Sequence, residues 1–368
     1  MNDIVFSGNQ VTKAGELFLN EDILNNDEMF LHAMDVLSFW RYSHNQSLEN
    51  AFSKLQVIVL NKDKKSIFAK RLKRYISIID KLKRFKSMKL KNMQDIGGCR
   101  AILTNEKKLR QVVRELKKQP EFRHKGKKLY KIKDYIKSPK EDGYRGYHII
   151  GRFNDKKNVE KKIEIQLRTY IQHYWATALE IIDLFTGQAL KSNQGEYKWT
   201  YFFSHVSEQF SIMDSIHMFN TYTINEKFHM YKKIALTNEN ITSIKLIKKY
   251  YKELKIHDKL TAFASSIKII DTRLHEAEDE AIDEFVGGYV LLDINISSST
   301  VNSKLFRQRE NELAEKEYIA LEKKSIESGN IVALVSTVAV GDIQEVYPNF
   351  FADSTMFLKH LDLIINSK

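Results

Sequence analysis

KKIEIQLRT (161–169) alternates apolar and polar residues strongly enough to be a sheet strand. Side chains on a strand repeat every two residues, so Glu164, Gln166 and Arg168 point to one side. A glutamate, a glutamine and an arginine on one face are costly to bury unpaired, which marks that face as a site rather than core. Working outward, YHIIGRF (147–153) and KLYKIKDYI (128–136) read as strands around the loop 137–146. IGGCRAILT (96–104) reads as a buried strand, because β-branched and small apolar residues follow a glycine pair. EKKLRQVVRELKKQ (106–119) has Leu109, Val112, Val113 and Leu116 on one side of an amphipathic helix, and IQHYWATALEIIDLF (171–185) forms another helix. Strands and helices in this mixture predict an α+β or α/β domain with a mixed sheet.

Before this domain, VTKAGELFL (11–19), EMFLHAMDVLSFWRYSH (28–44) and LENAFSKLQVIVL (48–60) carry helical spacing, with Trp40 as core and Arg41 and His44 bracing it. Residues 65–91 continue as a basic helix, and the region 201–256 is again helical. The last third changes texture. KLTAFASSIKIID (259–271), GGYVLLDINIS (287–297) and NIVALVSTVAV (330–340) are β-rich, separated by the charged helical stretches LHEAEDEAIDEF (274–285) and KLFRQRENELAEKEYIALEKKSI (304–326). The tail 347–365 ends in a helix. The expected segments are therefore a helical 1–60, a catalytic-type domain over 61–200, a helical connector over 201–256, and a small α+β regulatory module over 257–368.

The 368 residues are 43% hydrophobic and 29% charged, values of a folded globular chain. No apolar run is long enough to cross a bilayer, the start lacks a signal-peptide pattern, and a lone cysteine, Cys99, fits a reducing compartment, so a cytoplasmic protein without membrane contact is expected. The net charge of +12 is unevenly spread. Residues 62–140 hold 28 Lys or Arg against 7 Asp or Glu, a local excess of 21, which leaves the remainder at −9. A block this basic implies a polyanionic partner, nucleotide polyphosphate or nucleic acid.

Four short motifs lie in and just beyond that block: RLKRYISIIDK (71–81), MQDIGGCR (93–100), DYIKSPKEDGYRGYH (134–148) and EIQLRT (164–169). The first clusters Arg71, Lys73, Ser77 and Lys81, donors able to hold a triphosphate. In the second, Asp95 precedes the glycine pair at a position suited to a sheet edge facing a cleft, where one carboxylate oxygen can bind Mg²⁺ while phosphates complete its shell. In the third, Tyr144 between Gly143 and Arg145 is expected at a mobile tip, its face available to a base. Neither a Walker pattern nor GxGxxG occurs anywhere. Two carboxylates among many cations are what Mg²⁺-assisted attack on a polyphosphate needs.

These motifs, followed by Trp175-Ala176-Thr177, resemble the synthetase domain of the RelA/SpoT family over roughly residues 60–185. The resemblance implies a nucleotidyltransferase-like mixed sheet with flanking helices. It also implies transfer of the β,γ-pyrophosphate of ATP to a nucleoside 3′-hydroxyl with Mg²⁺, as in alarmone synthesis from GDP or GTP. Carried over position by position, Arg71 and Arg100 bracket the adenine, and Lys73, Ser77 and Lys81 hold the ATP phosphates. Asp95 and Glu164 are the catalytic pair and candidate metal ligands, with Glu164 as general base. Tyr144 stacks on the acceptor base, with Lys140, Arg145, His148, Gln166, Arg168 and His173 around the acceptor.

Three departures concern the acceptor. Gly146 stands where the family has serine, His173 where it has asparagine, and Ala178, Leu179, Glu180 and Ile181 where a Glu-His pair is expected. They resemble the toxin branch of the family, whose acceptors include the 3′-terminal adenosine of tRNA, here with the C-terminal module as a built-in restraint released by a regulatory protein partner. The family's hydrolase domain is not expected in the 60 or so residues before the motifs, and His257-Asp258 reads as an accidental dipeptide. A non-enzymatic nucleotide-sensing or RNA-binding relic would require loss of a motif residue, and Arg71, Lys73, Asp95 and Glu164 are all present.

Overall fold

The computed structural model describes residues 5–20, 27–73, 75–123, 131–186, 197–235, 238–261, 288–295, 300–328, 330–336 and 354–367. Two compact units divide the chain: Met1–Ile136 with Gly146–Thr169, and Lys137–Arg145 with Tyr170–Lys368.

The first unit opens with helices α1 (Gly8–Leu17), α2 (Asp27–Tyr42) and α3 (Asn45–Leu60). Ser7 caps α1 through a reciprocal box with Gln10. Strand β1 (Ile67–Leu72) follows, then α4 (Tyr75–Arg84), β2 (Gly97–Leu103), α5 (Glu106–Lys118), β3 (Ile132–Asp134), β4 (Tyr147–Asn154) and β5 (Glu160–Thr169). The five strands form one sheet in the order β1-β2-β5-β4-β3, parallel between β2 and β5 and antiparallel elsewhere.

The basic helix expected over 65–91 is thus corrected. IFAKRL (67–72) pairs along β2 as an edge strand, and helix begins only at Tyr75. Lysine and arginine suit an edge strand, where their charge discourages pairing with another chain. Of the expected strand 128–136, Ile132–Asp134 is one, and 124–130 lies outside the described residues.

One face of the sheet is apolar. Cys99, Ala101 and Leu103 of β2, Ile163, Ile165 and Leu167 of β5, and Tyr147, Ile149 and Phe153 of β4 pack with Leu48, Ala51, Leu55 and Val59 of α3 and with Leu109, Val112, Val113 and Leu116 of α5. A Cβ on Gly97 would meet Ile163 Cδ1 at 2.7 Å, so the first glycine of the pair allows this close packing. Buried Asp63 ties the end of β2, accepting from Thr104 N (2.7 Å), Thr104 Oγ1 (2.8 Å) and Lys108 Nζ (2.9 Å). A second cluster joins α1, α2 and α4 through Val11, Ala14, Val36, Leu37, Ile78 and Leu82.

The second unit contains α6 (Tyr170–Thr186), α7 (Tyr197–Ser215), α8 (Ile224–Ala235), α9 (Asn238–Glu253), β6 (Tyr289–Asn295), β7 (Thr300–Phe306), α10 (Asn311–Ser328), β8 (Ile331–Ser336) and α11 (Thr355–Asn366). Strands β7-β6-β8 make an antiparallel sheet, with Leu291, Phe306 and Ala314 at its core. Lys304–Phe306, read as the start of a helix, ends β7 because it pairs with Tyr289–Leu291 of β6. Of the stretch 259–271 expected to be β-rich, 259–261 is helical instead, continuing the helical run before it, and 262–271 lies outside the described residues, as does the acidic stretch 274–285. Helix α11 sits among the preceding helices: Phe357 contacts Phe203 and Phe210, and His360 contacts Tyr174 and Phe219. The compact units therefore do not follow the four sequence segments one for one. No helix among the described residues is long and apolar enough to cross a membrane.

Candidate active site

The other face of the five-stranded sheet is built from charged and amide side chains. Register places Arg71, Gly98, Glu164 and Ile150 in one row across β1, β2, β5 and β4. The next row holds Ala69, Arg100, Gln166 and His148, so β5 presents Glu164, Gln166 and Arg168 on this face. Gly98 leaves the floor open between Arg71 and Glu164, since a Cβ there would meet only the Glu164 carbonyl oxygen, at 3.7 Å.

Asp95 precedes β2 and is gripped by two lysines. Lys81 Nζ reaches its Oδ1 at 2.7 Å and Lys73 Nζ its Oδ2 at 3.1 Å. Ser77 and Lys81 lie four residues apart on α4, beside the apolar positions Ile78 and Leu82. Lys73 is anchored through its backbone, its N–H donating to the Ile96 carbonyl (2.7 Å) and its carbonyl accepting from Arg41 Nε (2.8 Å). Burial pushes the Lys73 ammonium down; Asp95 opposes this, and the charges of Lys81 and Arg71 add to the lowering. Cations this close together gain from a polyanion laid over them.

Glu164 is held from both sides. His148 Nδ1 lies 3.1 Å from its Oε1, and Gln166 Nε2 donates to its Oε2 at 2.7 Å. Arg100 donates in turn to Gln166 Oε1 from Nε (3.3 Å) and Nη2 (3.1 Å). The Tyr135 ring meets His148 edge-on at 5.3 Å. Burial alone would raise the Glu164 carboxyl, but His148, Gln166 and the charge of Lys81 outweigh it and bring it down to about 2. The carboxylate is therefore ionised at neutral pH and aimed by two partners. Burial pushes the Cys99 thiol on the opposite face well up, so it is inert packing rather than a nucleophile.

Lys140, Tyr144, Arg145 and His173 belong to the second unit. The Tyr144 N–H donates to Asp142 Oδ1 (2.8 Å) in an Asx turn, and Gly143 has φ 90°. Instead of projecting from a mobile tip, Tyr144 is 9% exposed, with Lys140 Nζ 4.8 Å above its ring. Gly143 is pressed against α7, where a Cβ would lie 2.8 Å from Ser204 Cα, so the loop can approach only as glycine. Arg145 Nε donates to Ser207 Oγ (3.1 Å), and Ser207 Oγ donates to the Gly143 carbonyl. His173 is fully buried in α6.

Two positioning groups escaped the sequence reading. Arg41, taken as a brace for Trp40, clamps the Lys73 backbone and lies over the Tyr75 ring at 4.7 Å. Ser207 fixes the loop 137–145, and no spacing rule links it to Gly143, 64 residues away.

Among the described residues, no group of three His, Cys, Asp or Glu side chains is arranged to hold a metal ion. Mg²⁺ needs less from a protein when it rides on phosphates: one or two carboxylates suffice. Asp95 and Glu164 are hard oxygen donors that share the lysine Lys81, bonded to one and acting on the other through its charge, so the donor set fits.

Comparison with known proteins matches the stretch of chain that holds the motifs. Residues 70–181 match the family model described as the region found in RelA / SpoT proteins. The GTP pyrophosphokinase YwaC of Bacillus subtilis (strain 168) is 37% identical over 116 residues, 29% of this chain and 52% of the relative. GTP pyrophosphokinase YjbM of the same organism is 35% identical over 115 residues, 29% of this chain and 51% of the relative. This chain thus spans about half the length of the curated relatives it matches. A crystal structure of small alarmone synthetase 1 from Bacillus subtilis bound to its product pppGpp is similar at 24% identity and TM-score 0.39, over 46% of this chain and 89% of that one. The motifs fall within this match, and over 70–181 the chain is similar to the region found in RelA / SpoT proteins.

Proposed function

We propose that the chain is an ATP-dependent pyrophosphokinase that moves the β,γ-pyrophosphate of ATP to the 3′-hydroxyl of a guanosine nucleotide. The observation that carries this reading is two differently held carboxylates that share the charge of Lys81: Asp95, just before β2, between Lys73 and Lys81, and Glu164, on the polar sheet face, between His148 and Gln166. In this reading Lys73, Ser77 and Lys81 bind the triphosphate, and Arg71 and Arg100 flank the adenine. The acceptor 3′-oxygen attacks the β-phosphorus, the bond from that phosphorus to the α–β bridging oxygen breaks, and AMP leaves. Glu164, already ionised and aimed, takes the hydroxyl proton as the new bond forms. Mg²⁺, with Asp95 and Glu164 as its protein ligands, would neutralise charge gathering on the phosphates. Tyr144, Lys140, Arg145, His148, Gln166, Arg168 and His173 are assigned to the acceptor, through direct contact or by shaping its pocket. GDP or GTP labelled at the 3′ position by β,γ-transfer from ATP supports the proposal, and a folded protein that labels no acceptor contradicts it.

A second reading, in which the acceptor is the 3′ end of tRNA and the protein blocks translation, is favoured by the excess of 21 positive charges over 62–140. Mononucleotides need fewer cations than an acceptor stem does. In that reading the region 257–368 restrains the enzyme, its acidic stretch 274–285 competing for the basic block until a regulatory partner releases it. Neutralising the carboxylates of that stretch should then raise transfer to RNA; unchanged transfer removes the restraint.

A further inference from the structure

Helix α7 carries three rings at four-residue spacing on one outward stripe. Tyr197 is 61% exposed and Tyr201 53%; their rings meet edge-on, centroids 6.1 Å apart with 81° between planes, and Tyr201 stacks at 6.2 Å and 22° on the half-buried His205, which is bonded to Glu208. Single exposed aromatics are ordinary, but two neighbouring exposed tyrosines backed by a third ring offer faces to something flat.

Both flanks of the ladder carry lysines. On one, the loop 137–145, with the exposed Lys137, Lys140 and Glu141, is fastened to Ser204 and Ser207 through Gly143 and Arg145. On the other, α9 packs antiparallel, as two contacts establish: Lys198 pairs with Glu253, and Ser243 Oγ donates to Glu208 Oε2 at 3.0 Å. Between these contacts the exposed Lys249 comes level with Tyr201, with Lys245 one turn further on. The carboxylates along this edge are engaged, Glu253 by Lys198 and Glu208 by His205 and Ser243.

We infer that the Tyr197–Tyr201–His205 stripe is a stacking platform for a single-stranded segment of an RNA acceptor, its phosphates running along the lysines of the loop and of α9. The inference rests on the RNA-acceptor reading above. Rings with polar residues between them and cations on both sides suit bases and phosphates, whereas a protein-docking face would need aliphatic neighbours.

The test is fluorescence anisotropy of the full chain with a labelled single-stranded oligoribonucleotide, alongside thermal melting of each variant. The wild type should bind with salt-sensitive affinity. Tyr201→Ala should bind roughly ten- to a hundred-fold more weakly, the loss of about one stacked base, while Tyr201→Phe should bind as the wild type does. Lys249→Ala should weaken binding and flatten its salt dependence. A wild type that ignores the oligonucleotide, or a folded Tyr201→Ala that binds it unchanged, overturns the platform. So does a Tyr201→Ala variant that alters only self-association, which would make the stripe a protein interface. If Tyr201→Ala loses RNA binding yet the wild type transfers no pyrophosphate to that RNA, the platform stands and the RNA-acceptor reading falls.

Discussion

The two faces of the five-stranded sheet share the same strands and hydrogen bonds, yet they do opposite work. Along β5 the residues alternate: Ile163, Ile165 and Leu167 are buried against α3 and α5, while Glu164, Gln166 and Arg168 lie on the far side with His148 and Arg100. The apolar face needs only shape and volume, so it supplies stability. The polar face spends some of that stability to hold a buried carboxylate and crowded cations in fixed places. The contrast teaches that damage should separate by face: one set of substitutions should unfold the protein, the other should silence it.

The largest expected effect is on the polar face. Asp95→Ala and Glu164→Ala should each lower pyrophosphate transfer by on the order of 10²–10⁴ while circular dichroism stays that of the wild type. Near-normal turnover by a folded Glu164→Ala protein would remove it from the proton transfer. Next comes the apolar face. Leu167→Ala, on the same strand as Glu164 but facing the other way, should cost about 2–5 kcal/mol in denaturant unfolding, with KM for ATP unchanged in the fraction that remains folded. A Leu167→Ala enzyme that keeps its stability but loses turnover would break the comparison.

Much of this contrast can be read along the chain, because alternation betrays a half-buried strand: β2, β4 and β5 and the apolar side of α5 follow directly from their patterns. The edge strand β1 does not. Its IFAKRL is as basic as the helix after it, and only pairing with β2 makes it a strand. β7 is hidden for a related reason, since TVNSKLF is largely polar and its partner β6 lies outside its own window. At the site, Lys73, Lys81 and Asp95 fall within two neighbouring motifs and are legible as a cluster. Arg41 is not, because it reaches Lys73 from 32 residues away through a backbone carbonyl that no side-chain pattern records. Tyr144 looks like an exposed tip in sequence, whereas the Asx turn of Asp142 and the seat of Gly143 on α7 fold it in.

A smaller effect sharpens the stability side through pH. His44 is buried, its Nδ1–H donating to the Trp40 carbonyl at 2.8 Å. Burial lowers its pKa to about 4, assisted by the charge of Lys161 and opposed by the Trp40 hydrogen bond. Since the native state holds His44 neutral while the unfolded chain protonates it below about 6.5, stability should fall as pH drops from there to about 4. The loss should be on the order of 3 kcal/mol over that window. Urea titrations at several pH values check this, and a His44→Gln protein should lose that part of the slope. Smallest is Tyr144→Ala, expected to weaken acceptor use roughly ten-fold or somewhat more with ATP affinity unchanged. An equal loss of ATP affinity would move the loop to the donor.

The most direct test is one incubation series: ATP labelled in its γ-phosphate, the wild-type chain, and in separate tubes GDP, GTP or bulk tRNA. Label is expected on the 3′-hydroxyl of at least one acceptor, with AMP formed in equal amount, and no such product from Glu164→Ala. Label that stays in ATP and inorganic phosphate with every acceptor, from protein that melts cooperatively, would contradict it.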